Sequence, residues 1–483
     1  MNDKSKFGPA KGMRDWLPKE TLLRQKLIRL IEHHYQLYGF QPIDTPALEN
    51  IEVLQGKGGG ENEKLMFEVI RRREDFYDAF GQIYFSKVSS TGARHASMNQ
   101  LDVEEMARFR EQLADLGLRF DLTVPLARYY ANHSNDLPKP FRCYHIGPVW
   151  RADRPQKGRY REFYQCDIDI VGGASDSYEV ELLLATDRVL KALNVGEFTI
   201  RISDKRLLSI LLKGFGVKES EIQAVAIAID KLDKKSPQEV LKDIEDSGIS
   251  VESYKNVKTL LVDVSSNDIN DLRKYVKASD SINYEEFNGI VSGVEKICAR
   301  VMEVNQNARI VFDHLLVRGF DYYTGPVFEI NVEDKDFNFS IGGGGRYDGL
   351  IEKLGGPKGT PAVGISLGFE RILLILAEKE KSVTQTIYPR VFIANNGQPE
   401  KDILSLAEQL RSEGIQVEAC LEKKDFKKQM ETAQANGIDY AITDFKPGAK
   451  SYKVRQLSTR QDKAMPLAEL YDIMKRLSEE IED

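Results

Sequence analysis

The sequence predicts a mixed α/β protein in three parts: a strand-and-helix core, a helical insertion interrupting it, and a small α/β domain at the C-terminal end. Three observations carry this reading. The 483 residues exceed what one hydrophobic core holds, so several domains are expected. Segments alternating with period two, as strands do, lie on both sides of a long stretch with helical spacing. From residue 388 onward, short strand-like and helix-like segments alternate, the pattern of a small α/β domain.

Composition narrows the functional classes. Hydrophobic residues make up 41% of the chain, enough to build these cores, so disorder, collagen-like repeats and coiled coil are poor readings. No apolar run approaches the ~20 residues a bilayer span needs, and the opening MNDKSKFGPAKGMRDWLP lacks the apolar stretch of a signal peptide. Cys143, Cys166, Cys298 and Cys420 are far apart with no C-x-x-C, so reduced thiols in a cytoplasmic protein are expected rather than a disulfide frame or zinc site. The net charge of -7 lacks the basic footprint of many nucleic-acid binders. It does not exclude one, since a local basic surface can sit on an acidic protein.

Residues 19–38 read as an amphipathic helix with Leu23, Leu27, Leu30, Ile31, His34 and Tyr38 on one face. Gly39 ends it, and Pro42 and Pro46 hold the next segment extended. Residues 70–117, charged and carrying the small-residue patch STGARHAS, are expected to be a surface insertion. Between 120 and 203, FYQCDIDIVG and FTIRIS alternate as strands. The stretch 206–305 is predicted helical. Ser236-Pro237-Gln238-Glu239 is a capping box with Pro at the first helical position, Gly248 closes that helix, and Phe287, Ile290, Val291, Val294, Ile297, Cys298 and Val301 mark another. Strand texture returns at 310–332 and around 340, then a Gly-rich turn and a helix from about 368. The C-terminal part reads as strand RVFIA, a helix around Ile403, strand IQVEAC, a helix through Phe426, strands YAIT and SYKVRQL, and a helix over 466–477.

No P-loop, G-x-G-x-x-G or H-E-x-x-H spacing occurs. The densest unusual segment is 141–172. Its loop carries Arg151, Arg154, Lys157, Arg159 and Arg161 between two strand-like runs. Guanidinium forks suit phosphate oxygens and a neighbouring ring suits a base, so the hairpin fits a nucleoside phosphate; a solvated charged hairpin fits it as well. Asp167 and Asp169 favour a site, because they alternate with Cys166, Ile168 and Ile170 in a strand fit for burial, and buried carboxylates need partners. LVRGFDYYTG (316–325) could line a polar pocket or form a tight turn. IGGGGRYDGL (341–350) implies either close backbone approach or a flexible turn. In AVGISLGFERI, Arg371 falls in the first turns of a helix opened by Gly368, within reach of a phosphate or merely of water.

Together these segments resemble the class II aminoacyl-tRNA synthetases, and among them the histidyl branch. GFQPIDTPALE is similar to the first, dimer-forming motif of that class, VWRADRPQKGRYREF to the second and VGISLGFERI to the third. RFDLTVPLARYYA, LVRGFDYYTG and GGGGRYDGL look like the segments that set the histidyl enzymes apart. The resemblance runs from Lys11-Gly12-Met13-Arg14-Asp15 to the C-terminal domain. It implies a catalytic domain (1–205 and 306–385) built on an antiparallel sheet flanked by helices, a helical insertion domain (206–305) and an anticodon-binding α/β domain (388–483).

The implied activity is that of a ligase of protein biosynthesis, which joins L-histidine to ATP, with Mg2+, as histidyl-adenylate and passes it to the 3′ end of tRNA(His), releasing pyrophosphate and AMP. A cytoplasmic homodimer is implied too, with no metal held by protein ligands. By this resemblance Arg151 holds the α-phosphate, Phe163 stacks on adenine, and Arg159 and Arg371 grip the β- and γ-phosphates. Arg318 approaches the α-phosphate from the other side as a fixed electrophile beside the bound histidine. Asp121, Thr123 and Gln165 match residues around the substrate amino group, and Asp169, Tyr322 and Tyr323 those meeting the imidazole. Gln156 and Lys157 lie where the family approaches the 5′ end of the tRNA. Lys423 and Lys424, with Lys427 and Lys428, cluster at a helix start where amide dipoles favour phosphates.

The chain departs from the family in two places. The 70–117 segment is longer than the usual connection, and Asp153 stands where the second motif usually has Glu. Two alternatives stay open on the sequence: a regulatory paralogue that attaches to an enzyme of histidine biosynthesis, and a class II synthetase for another amino acid. The C-terminal α/β segment and Arg151, Arg318 and Arg371 speak against the first, and LVRGFDYYTG against the second.

Overall fold

Two ten-residue strands flank the arginine-rich loop and pair antiparallel from Phe141↔Val171 to Trp150↔Glu162, which is why that stretch alternates. They belong to a computed structural model that describes residues 7–56, 65–72, 75–77, 81, 113–233, 235–263, 269–277, 282–316, 322–334, 337, 339–379, 390–422 and 424–482. It divides into two units: Met1–Leu17 with Leu27–Glu378, and Pro18–Lys26 with Lys379–Asp483.

The first unit holds strands β1 (Gln41–Pro42), β2 (Leu48–Asn50), β3 (Phe67–Ile70), β4 (Ala114–Leu118), β5 (Phe141–Trp150), β6 (Glu162–Val171), β7 (Phe198–Asp204), β8 (Ile310–Phe312), β9 (Pro326–Val332), β10 (Ser340–Arg346) and β11 (Ala362–Gly368). Eight of them form one sheet in the order β1-β5-β6-β11-β10-β9-β7-β8. Its six central strands run antiparallel, with β1 and β8 added parallel at the two edges. A smaller antiparallel sheet, β2-β4-β3, stands beside it.

The four glycines of 342–345 are not in a turn, contrary to one reading of the sequence. They lie in β10, hydrogen-bonded between β9 and β11. The reason is steric, because a Cβ at Gly344 would collide with the Gly364 carbonyl oxygen of the next strand. The helix Pro18–Leu37 forms as expected, but its deeply buried stripe is Leu27, Ile31 and Tyr35, with Tyr38 only half-buried. Tyr35 turns its hydroxyl to the Cys166 carbonyl of β6 at 3.3 Å.

Helices occupy most of 205–304. Their core, from Leu207 through Val240 and Ile244 to Phe287 and Val291, is apolar throughout. The Ser236 capping box is present with both of its bonds, and Asn283 accepts from the amides of Glu285 and Glu286 to start the helix Tyr284–Val304.

The second unit carries β12 (Arg390–Ile393), β13 (Gln416–Ala419), β14 (Tyr440–Asp444), β15 (Tyr452–Gln456) and β16 (Gln461–Met465), ordered β13-β12-β14-β15-β16. Period two places Val391 and Ile393 in one core with the helices Glu400–Ser412 and Leu467–Glu482. Phe392 and Ala394 lie in another with Phe426–Ala435. β16 escaped the sequence reading because Gln461-Asp462-Lys463-Ala464 is an exposed edge without an apolar face.

Candidate active site

Strands β6, β10 and β11 floor an open cleft. The register sets Gln165, Asp167 and Asp169 of β6 opposite Gly368, Ser366 and Gly364 of β11, so the polar residues of β6 share the cleft face. Glycine is required at 364, because a Cβ there would run into the Asp169 carboxylate.

Carboxylates and phenols line part of the cleft. Asp169, almost fully buried, accepts a hydrogen bond from the Tyr347 hydroxyl at 2.6 Å. Burial lifts its pKa to about 7, while the Tyr347 bond works in the opposite direction. Asp121 accepts from the Val124 amide at 3.1 Å, so it caps the helix Thr123–His133 while facing the cleft. Burial brings it up to about 6, against the pull of that amide and of Arg151. Burial, and then the charge of Asp169, push Asp167 well above the ordinary carboxylate range. The rings of Tyr322 and Tyr323 meet edge-on with centroids 4.7 Å apart, and Tyr322 lies edge-on to Tyr347.

Three arginines line the same cleft. Arg151 sits over the Phe163 ring at 5.1 Å, and its Nε donates to the Phe120 carbonyl at 2.9 Å. The loop between β5 and β6 folds back as a tight hairpin, with the Gln156 and Arg159 backbones paired in both directions. Gly158 takes φ +72° at the turn. This fold lets Arg159 Nε donate to Asp153 at 2.8 Å. Arg371, in the first turn of the helix Phe369–Lys379, reaches the Ser340 carbonyl and lies over Phe339. The preceding Glu370 is buried and accepts from the Tyr164 amide at 2.7 Å.

Of the residues singled out in the sequence, Asp121, Thr123, Arg151, Arg159, Phe163, Gln165, Asp169, Tyr322, Tyr323 and Arg371 all line this cleft. Arg318 and Lys423 lie outside the described residues, as does most of 70–117. Gln156 and Lys157 do not line the cleft; they are exposed on the hairpin, with Lys157 at 3.3 Å from Glu378. Lys424 pairs with Glu422 at 2.7 Å, while Lys427 and Lys428 are exposed. Asp425 caps the helix Phe426–Ala435, so the chain's own carboxylate already occupies the N-terminal anion position.

Ser366, Tyr347 and Glu370, which the sequence reading did not single out, also line the cleft, as does Asp167, which it marked without assigning a role. Period two announced Asp167, whereas Tyr347 meets Asp169 across 178 residues of sequence and leaves no local signal. Gly364-Ile365-Ser366-Leu367-Gly368 has the spacing of a hydrolase nucleophile elbow. Yet Ser366 lies inside β11, opposite Asp167 and hydrogen-bonded to Gln165, rather than on a strand-to-helix turn beside a histidine.

Residues 91–372 match the family described as "Histidyl-tRNA synthetase". The chain belongs to the histidyl-tRNA synthetase family. Residues 390–477 match the domain described as "Anticodon binding domain". Among relatives of this histidyl-tRNA synthetase family, a "Probable histidine--tRNA ligase" of Tropheryma whipplei is 37% identical over 443 residues, covering 90% of this chain and 94% of that one. A "Histidine--tRNA ligase" of Flavobacterium johnsoniae is 35% identical over 466 residues, covering 94% and 96%. The crystal structure of histidyl-tRNA synthetase from Nostoc sp. PCC 7120 superposes with a TM-score of 0.73 at 28% identity, covering 97% of this chain and 99% of that one.

Proposed function

We propose that this chain is a histidine–tRNA ligase: it activates L-histidine with ATP to histidyl-adenylate and transfers the histidyl group to the 3′ end of tRNA(His). The observation that supports it best is the make-up of the cleft. Arg151, Arg159 and Arg371 line it together with Asp121, Asp169 and the paired tyrosines. The attacking carboxylate of histidine is already ionised, so the first step needs no general base. It needs the carboxylate and the α-phosphate held in line and the growing phosphate charge stabilised. In this reading Arg151 holds the α-phosphate, Phe163 stacks on adenine, and Arg159 and Arg371 take the β- and γ-phosphates. Mg2+ brought with ATP would add charge stabilisation to that of these arginines.

Asp121, Thr123 and Gln165 receive the amino group, and Asp169, Tyr322 and Tyr323 the imidazole. One acceptor and phenolic groups satisfy both ring nitrogens, and an analogue without them leaves buried groups unpaired. Arg318 serves as fixed electrophile on the resemblance of its motif alone. Residues 1–205 with 306–385 are assigned to the catalytic domain, 206–305 to a helical insertion domain and 388–483 to the anticodon-binding domain. The segment around Gly39–Glu49 serves homodimerisation. Gln156 and Lys157, with Lys424 and its lysine neighbours, approach the tRNA. No described helix is long and apolar enough to cross a membrane, which suits a cytoplasmic enzyme.

Histidine-dependent exchange of pyrophosphate into ATP, followed by charging of tRNA(His), tests this reading. Exchange driven by another amino acid, or none, would overturn it.

A further inference from the structure

Two acceptor atoms in the cleft are buried without a hydrogen-bond partner: Oε1 of Gln165 and Oδ1 of Asp167. Both side chains lie on the cleft face of β6, and both are more than nine-tenths buried. Ser366 of β11 stands against both. Gln165 Nε2 donates to Ser366 Oγ at 2.6 Å, and Ser366 lies opposite Asp167 in the sheet register. Because the Gln165 amide gives its NH2 to Ser366, its oxygen is turned away from that contact and left bare. Since Ser366 Oγ accepts from Gln165, its own proton is left to turn toward the Asp167 carboxyl.

A buried carboxylate oxygen and a buried amide oxygen left bare are costly in the free protein and are satisfied only by a donor brought from outside. Asp121, Asp167 and Asp169 crowd the same end of the cleft, so that donor should be cationic. A primary ammonium, with three N–H groups and a positive charge, fits both acceptors.

The geometry points to Asp167 as a further binding residue for the α-ammonium of the amino-acid substrate, with Ser366 as the positioning residue that sets Gln165 and Asp167 for it. This rests on the histidine-activating reading above and adds a residue pair to its amino-group subsite.

The test compares Asp167→Asn and Ser366→Ala with the parent full-length protein in histidine-dependent pyrophosphate exchange. Binding of histidinol, which keeps the ammonium, and of imidazolepropionate, which lacks it, is measured alongside by calorimetry. Asp167→Asn should raise the histidine KM and the histidinol Kd by on the order of tenfold to a hundredfold, the scale of a charged hydrogen bond. It should leave the ATP KM and the imidazolepropionate Kd within about twofold. Ser366→Ala should act in the same direction more weakly, and Ser366→Thr, which keeps the hydroxyl, should restore parental values. Equal losses for histidinol and imidazolepropionate, or no change for either, would overturn the assignment while parental exchange remained histidine-dependent. Absence of that exchange in the parent would instead remove the underlying reading.

Discussion

The Tyr347 hydroxyl donates to Asp169 Oδ1 at 2.6 Å, and neither side chain has more than a few per cent of its surface exposed. The bond fixes the carboxylate in the cleft and leaves its other oxygen for a ligand. Removing the donor in Tyr347→Phe leaves a buried carboxylate oxygen bare. We expect the histidine KM to rise by about tenfold, the scale of a lost hydrogen bond to a charged group, with the ATP KM unchanged. Steady-state pyrophosphate exchange at varied histidine and fixed saturating ATP measures this.

Asp169 also predicts how stability responds to pH. Burial holds its pKa up to about 7, above the unfolded value, so the folded chain binds this proton more tightly than the unfolded chain does. The stability it contributes is therefore complete below the unfolded carboxylate value of about 4 and is lost as pH rises through about 7. Asp169→Asn is neutral at every pH. Without ligands, its advantage over the parent should grow between pH 4 and pH 8 to a few kcal/mol, at most about 4. Urea unfolding across that range measures it, and a pH-independent difference would contradict the burial argument.

Asp153 stands where the resemblance calls for Glu, and it holds Arg159 through Nε at 2.8 Å. Arg159 is more than a third exposed, so the pair adds little stability and serves mainly to aim the guanidinium. Asp153→Asn should raise the ATP KM by roughly threefold to tenfold and leave the histidine KM in place. Asp153→Glu should lie close to the parent if aim rather than length matters. Initial rates at varied ATP separate the two outcomes.

Gly344 stands in mid-sheet, where a Cβ would overlap the Gly364 carbonyl oxygen. Backbone on both sides leaves nothing flexible to give way. Gly344→Ala should cost about 3 kcal/mol or more and lower Tm by about 6–12 °C. Gly355, which has φ +88° with nothing near its Cβ position, is the control: Ala there is strained only by its backbone.

Much of the cleft was legible because β6 is a strand whose polar residues fall two apart. Gln165, Asp167 and Asp169 announced a common face before any partner was known. Arg371 was legible for a related reason, since Gly368 marks the turn from strand to helix. The four glycines of β10 were legible only as one of two readings, close backbone approach or a turn, because a residue without a side chain carries no strand pattern. The grip of Asp153 on Arg159 needed the hairpin to close first, and Tyr347 needed the whole sheet. The stripe on the first helix slipped from Tyr38 to Tyr35 because both positions satisfy helical spacing from Ile31. Only packing on β6 decides between them.

The pairing of β3 with β4 has a consequence for how this chain can change over time. Ile70 faces Ala114 across the two strands, and the Arg71 amide donates to the Leu113 carbonyl at 2.8 Å. The chain therefore enters and leaves the stretch between residues 71 and 113 through one doorway. Chain length added or removed there alters the entropy of a single closed loop, which grows only slowly with size, and it moves no strand of the catalytic sheet. The doorway is a place where evolution, or an engineer, could fit a foreign module or a short turn without redrawing the site.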